Sequence, residues 1–105
     1  MLHPAPKPVC VVDFEYRRFV RTQPCCVCEH VGAKQLTRTE VHHLHTRSAG
    51  GGDDTVAPFC TAHHQLWHLL GRKSFQARVG FDPTVTVARL WAEWRAQGWP
   101  TGMRP

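Results

Sequence analysis

Six of the chain's eight histidines lie between His42 and His68, and three of its five cysteines fall in the run Cys25-Cys26-Val27-Cys28. Imidazole and thiolate are the usual ligands of zinc and related ions, so this concentration points to metal chemistry. Cys25-x-x-Cys28 and Cys60-x-x-His63 share a spacing at which a tight turn aims two donors at one ion. Together Cys25, Cys28, Cys60 and His63 make the closed four-ligand set of a structural zinc site. Residues 29 to 59 separate the two pairs, a longer gap than in the common short ribbon. The plain alternative is two unrelated buried pairs. Cys26, between the two ligands of the first pair, reads as a packed thiol.

A second set is formed by His42, His64 and His68. His64 and His68 are spaced i, i+4 and so share one face of a helix. Three neutral imidazoles leave a coordination position open, as a catalytic ion requires. A lone histidine is ordinarily a surface or core residue, but here a helical pair is joined by the tandem His42-His43. His43 is left beside a ligand with the chemistry of a general base. Arg38, Arg47, Arg72 and Lys73 surround these motifs and are suited to gripping phosphates, each having a solvated charge as its plain alternative. His45 has the same two readings, while His3 and His30 carry no signal.

Positioning these donors requires particular elements. Residues 1 to 12 read as an N-terminal tail: Pro4, Pro6 and Pro8 keep its start extended, and Val9-Cys10-Val11-Val12 has strand character. Residues 13 to 99 form a single domain and residues 100 to 105 a C-terminal tail. Asp13 caps a short helix running to Arg21, and Pro24 ends it before the cysteine cluster. Glu29 to Lys34 is a turn around Gly32. Gln35 to His43 is a strand, which sends His42 and His43 to opposite faces. Ser48 to Asp54 is a glycine-rich flexible loop. Pro58 and Phe59 lead into Cys60, and Thr61 to Leu70 is a helix stopped by Gly71, with Leu66, Leu69 and Leu70 towards the core. Arg72 to Val79 is a second helix ended by Gly80. Asp82-Pro83 starts a third, Thr84 to Gln97, whose Val87, Leu90, Trp91 and Trp94 fall at core spacing.

The chain has 105 residues and a net charge of +5 with neutral histidines. One small domain of this length buries a limited core, and a structural metal would help it fold. The basic balance suits a polyanion such as nucleic acid or an anionic membrane surface. No apolar run approaches a membrane span of roughly 18 residues, and the proline-rich start lacks the apolar core of a signal peptide. The expected location is therefore cytoplasmic, where cysteines more often bind metal than form disulfides. An odd cysteine count agrees.

A strand ending in His42-His43, a Gly-Gly-x-Asp loop at Gly50 to Asp53, and Cys60-x-x-His63-His64-x-x-x-His68 on a helix resemble the HNH endonuclease family. Cys25-x-x-Cys28 is similar to the zinc-bound subset of that family. The resemblance spans about residues 24 to 70, and residues 71 to 99 look like the C-terminal helices of small phage and prophage members, including recombination-associated, RecA-dependent ones. It implies a small α+β fold: a ββα-metal core with structural zinc, flanked by short helices. It also implies a metal-dependent DNA endonuclease that hydrolyses phosphodiester bonds. His43 matches the general base, His42 the first metal ligand, and His64 and His68 the helix ligands. The catalytic cofactor would be a divalent ion: Mg²⁺, Mn²⁺ or Zn²⁺. Thr55 stands where the family has its middle Asn, and its backbone carbonyl would accept from His43, or Asp54 would help. The implied partner is DNA rather than a membrane, with recruitment by a phage or recombination complex as a further expectation.

Three rivals are weighed by residues. A non-catalytic zinc-finger-like nucleic-acid-binding module explains the Cys/His set but gives no use to His42, His43, His64 and His68 together. A zinc deaminase needs an upstream His-x-Glu, which His3-Pro4-Ala5 does not supply. A metalloprotease needs His-Glu-x-x-His, which is absent from the sequence.

Overall fold

The computed structural model describes residues 11–45 and 51–97. Over these the chain is a small α+β fold. Helix α1 (Phe14–Arg21) and helix α2 (Cys26–Val31) precede strand β1 (Thr39–His43). A 3-10 turn at Asp53–Thr55 leads into strand β2 (Val56–Cys60), which passes directly into helix α3 (Thr61–Leu70). Helices α4 (Arg72–Val79) and α5 (Thr84–Ala96) complete it. The two strands are antiparallel, with His42 opposite Ala57 and His43 opposite Val56.

Local signals account for most boundaries. The Asp13 carboxylate accepts from the Tyr16 backbone N–H at 3.0 Å and caps α1. Gly71 and Gly80, both at positive φ, end α3 and α4. The Asp82 carboxylate accepts from the Thr84 N–H at 3.0 Å where α5 begins. Gly52 is required for a different reason: a Cβ there would stand 2.6 Å from the Val11 backbone nitrogen. The glycine loop thus serves a close backbone approach, and the Asp53 N–H donates to the Val11 carbonyl at 2.8 Å.

Some expectations are corrected. The first half of the turn expected at Glu29–Lys34 belongs to helix α2, because Cys25 caps that helix by accepting from the Cys28 N–H, and Gly32 is its left-handed C-cap. The first strand is shorter than expected and begins at Thr39. Val11 and Val12 are irregular, and Val9 and Cys10 lie outside the described residues, as do Thr46 to Gly50 of the loop and the segment from Gly98 onward. Pro58 and Phe59 belong to a strand, fully buried along its length. Leu69 is exposed, since Trp67 takes the core position of α3 and a residue two further on turns about 200° away. In α5, Leu90 and Trp94 are buried, Val87 and Trp91 half-buried, and Thr86 joins the buried face.

Two apolar clusters flank the sheet. One gathers the cysteine helix α2 with Phe59, Trp67 and Phe75. The other packs Tyr16 and Val20 of α1 on Val56, Leu90 and Trp94. No helix of the described residues is long and apolar enough to cross a membrane.

Candidate metal centre and histidine cluster

The first donor set is assembled by α2, β2 and the first turn of α3. Gln35 fixes the cysteine turn to the sheet: its side chain accepts from the Cys25 N–H at 2.7 Å and donates to the Thr39 hydroxyl at 2.9 Å. The His63 Nδ1 then lies 3.6 Å from Cys25 Sγ, 3.5 Å from Cys28 Sγ and 3.2 Å from Cys60 Sγ. Cys28 Sγ and Cys60 Sγ are 3.9 Å apart. A tetrahedral zinc, with bonds of about 2.3 Å to sulfur and about 2.0 Å to nitrogen, needs edges of about 3.8 Å between sulfurs and about 3.5 Å from sulfur to nitrogen. The observed edges fit, and the set is compatible with a structural metal. Its electrostatics agree. Burial and the neighbouring Cys25 and Cys60 push the Cys28 thiol up to about 12. Burial also opposes the Cys60 thiolate, but the His63 backbone N–H and the Thr37 hydroxyl outweigh it and hold Cys60 below its ordinary range. Several thiolates share this buried space only with a cation among them. Cys26 points into the core, where burial raises it to about 12 and leaves it an inert thiol.

The second set lies across the junction of β1 with α3. The strand pleat sends His42 inward, 1% exposed, and His43 outward to the other face. The His42 ring centroid is 4.5 Å from that of His64 and 5.5 Å from that of His68. One donor nitrogen from each of the three lies within 4.8 Å of the others. Phe59 and Trp67 cover the rest of the His42 ring, at 4.5 and 4.8 Å. Both ring nitrogens of His42 are buried with no hydrogen-bond partner. Burial, then His64, His68 and His43, push its pKa from 6.5 down to about 3, so the ring is neutral with a lone pair available. An orphaned buried imidazole facing two others is the donor chemistry a divalent ion requires, and these residues fit one.

His43 has a partner that was not expected. Its Nε2 is 3.0 Å from Asp53 Oδ1. Asp53 is fully buried, and it also accepts from Arg17 Nε at 2.8 Å and from the Asp13 backbone N–H at 2.7 Å. Burial alone would raise this carboxyl, but the Asp13 N–H, Arg17 and His43 overcome it and hold Asp53 below its ordinary value. The Thr55 carbonyl accepts from the Leu44 N–H instead of from His43, and the Thr55 hydroxyl donates to the Gly52 carbonyl at 2.7 Å, closing the turn. Thr55 therefore braces the loop that presents Asp53. Asp54 is half-buried beside it. Nothing in the spacing of His43 and Asp53 announces their pairing, because the loop path that joins them depends on Val11.

Among the proposed phosphate contacts, Arg38 is exposed and lines an open cleft of about 420 Å³ with Arg21 and His64. Arg72 and Lys73 lie in the first turn of α4, away from that cleft. Arg47 lies outside the described residues. Glu40 and Arg21 are the charged cleft residues that sequence reasoning missed. Glu40, two residues before His42, shares its strand face, which was a usable signal. Comparison with protein-family models, with curated proteins and with solved structures finds no match for this chain.

Proposed function

We propose that this chain is a metal-dependent DNA endonuclease of the HNH type, with a ββα-metal core formed by β1, β2 and α3 and a structural zinc at Cys25, Cys28, Cys60 and His63. The observation that carries this reading is the placement of two histidines on opposite faces of one strand. His42 faces His64 and His68 with unpartnered nitrogens, and its neighbour His43 is held by a buried carboxylate. A zinc-binding module would need neither.

His42, His64 and His68 would hold the catalytic ion, which when bound polarises the scissile phosphate and stabilises the leaving 3′ oxygen. Asp53 is ionised, so His43 Nε2 carries the shared proton and Nδ1 carries the lone pair. His43 Nδ1 takes a proton from water, the water oxygen forms a bond to phosphorus, and the P–O3′ bond breaks. The 3′ oxygen takes its proton from solvent, giving a 5′ phosphate and a 3′ hydroxyl. Arg38 and Arg21 supply positive charge in the cleft that His64 lines, where neighbouring phosphates of the strand would pass.

The test is incubation of the zinc-loaded protein with supercoiled plasmid, with Mg²⁺, Mn²⁺ or excess EDTA. Metal-dependent conversion to nicked or linear DNA is expected for the wild type. Its absence with every divalent ion tried, alongside retained DNA binding, would instead assign a binding module.

A further inference from the structure

We infer that Glu40 is a positioning residue for the metal ligand His64, setting which of its ring nitrogens faces the ion. The inference rests on the proposed metal set and deepens it. Glu40 Oε1 is 2.9 Å from His64 Nδ1, and Glu40 Oε2 accepts from the Thr61 hydroxyl at 3.1 Å. The carboxylate is thus gripped at both oxygens by two residues of the first turn of α3. Their partner Glu40 comes from the strand face that also carries His42.

A histidine ligand to a metal characteristically donates its second ring N–H to a carboxylate, which fixes the tautomer and raises the basicity of the ligating nitrogen. With Nδ1–H donated to Glu40, the lone pair of His64 sits on Nε2. Three neutral imidazoles alone make a weak cage for a hard divalent ion. A carboxylate hydrogen-bonded behind a ligand adds negative charge to the site without occupying a coordination position, so the position needed by substrate stays open. His42 has no such partner, its two nitrogens being unbonded. Among the described residues, His68 likewise has no hydrogen-bond or ion-pair partner. Glu40 is therefore the anion through which the fold tunes this set. Its side chain also lines the cleft with Arg21, Arg38 and His64.

The experiment is a calorimetric titration of the zinc-loaded full chain with Co²⁺, paired with ¹H–¹⁵N spectra of the imidazole region recorded before Co²⁺ is added. Glu40→Gln, Glu40→Ala, Glu40→Asp and His64→Ala are compared with the wild type. The wild type is expected to show His64 protonated at Nδ1. Glu40→Ala is expected to lose that tautomer preference and to bind Co²⁺ about 10–100-fold more weakly, the usual effect of removing such a partner. Glu40→Gln is expected to weaken binding as well, and Glu40→Asp to recover part of the affinity. If the Glu40 variants bind Co²⁺ as tightly as the wild type while His64→Ala does not, the positioning role is overturned and the metal set stands. If His64→Ala also binds equally, the metal set falls and Glu40 falls with it.

Discussion

Replacing His42 with leucine should change stability in opposite directions with and without a divalent ion. The ring is 1% exposed, wedged between Phe59 and Trp67 on one side and His64 and His68 on the other. Its two nitrogens have no partner. A buried polar group left unsatisfied costs about 1–3 kcal/mol, whereas an apolar side chain of similar volume costs under about 1.5 kcal/mol in repacking. In zinc-loaded protein with no further ion, His42→Leu is therefore expected to be more stable than the wild type, by about 1 kcal/mol once the repacking cost is set against the gain. At about 4–8 °C per kcal/mol for a domain of this size, differential scanning calorimetry resolves the change. Adding Mn²⁺ or Co²⁺ to 100 times its dissociation constant should then stabilise the wild type by about 2.7 kcal/mol and leave the variant unmoved. Acid gives an independent check. Burial, with His64 and His68 adding to it, lowers His42 from 6.5 to about 3 in the folded chain. The unfolded chain thus takes up this proton first. The stability it represents is complete above about pH 6.5 and is lost as pH falls towards 3, by up to about 1.4 kcal/mol per pH unit. The leucine variant should have a shallower acid limb by that slope. A wild type whose melting ignores every divalent ion, or a leucine variant that the ion stabilises as much as the wild type, would refute the ligand assignment.

Cys28→Ser should lose bound zinc and several kcal/mol of stability, or fail to fold, as read by metal analysis and circular dichroism; unchanged zinc content would remove Cys28 from the site. His43→Ala should keep the fold and both metals yet nick plasmid about 10²–10⁴-fold more slowly, so full activity at matched metal occupancy excludes it as the base. Asp53→Asn breaks a buried pair with Arg17 and His43 and should cost about 3–5 kcal/mol in urea unfolding, with a fall in nicking rate. Thr55→Ala, which deletes only the hydroxyl bond to Gly52, should cost about 1 kcal/mol and leave the His43 ring orientation intact in NMR spectra.

Donor identity was legible in the sequence wherever local geometry decides it. The spacings Cys25-x-x-Cys28, Cys60-x-x-His63 and His64-x-x-x-His68 each lie within one turn, and strand alternation alone separates His42 from His43. The partners of those donors were less legible. Asp53 reaches His43 because Gly52 passes against Val11, a meeting of residues 41 positions apart that no local pattern encodes. Trp67 displaced Leu69 from the expected core face because a large ring fills the space between Phe59 and Phe75. The helix at Cys26–Val31 was hidden by cysteines, which are read first as ligands and only afterwards as helix residues.

The indole of Trp94 donates to Asp13 at 3.3 Å, and Leu90 and Trp94 cover Tyr16 and Val20 of α1. This couples α5 to the strand histidine through a short relay: Trp94 holds the Asp13 whose backbone N–H donates to Asp53, and Asp53 holds His43. Helix α1, which carries the Arg17 that also grips Asp53, packs on β1 and β2 and meets α5 through Tyr16 and Phe19 against Trp91 and Trp94. A change in α5 that shifts Trp94 should therefore be felt at the His43 ring without touching either donor set.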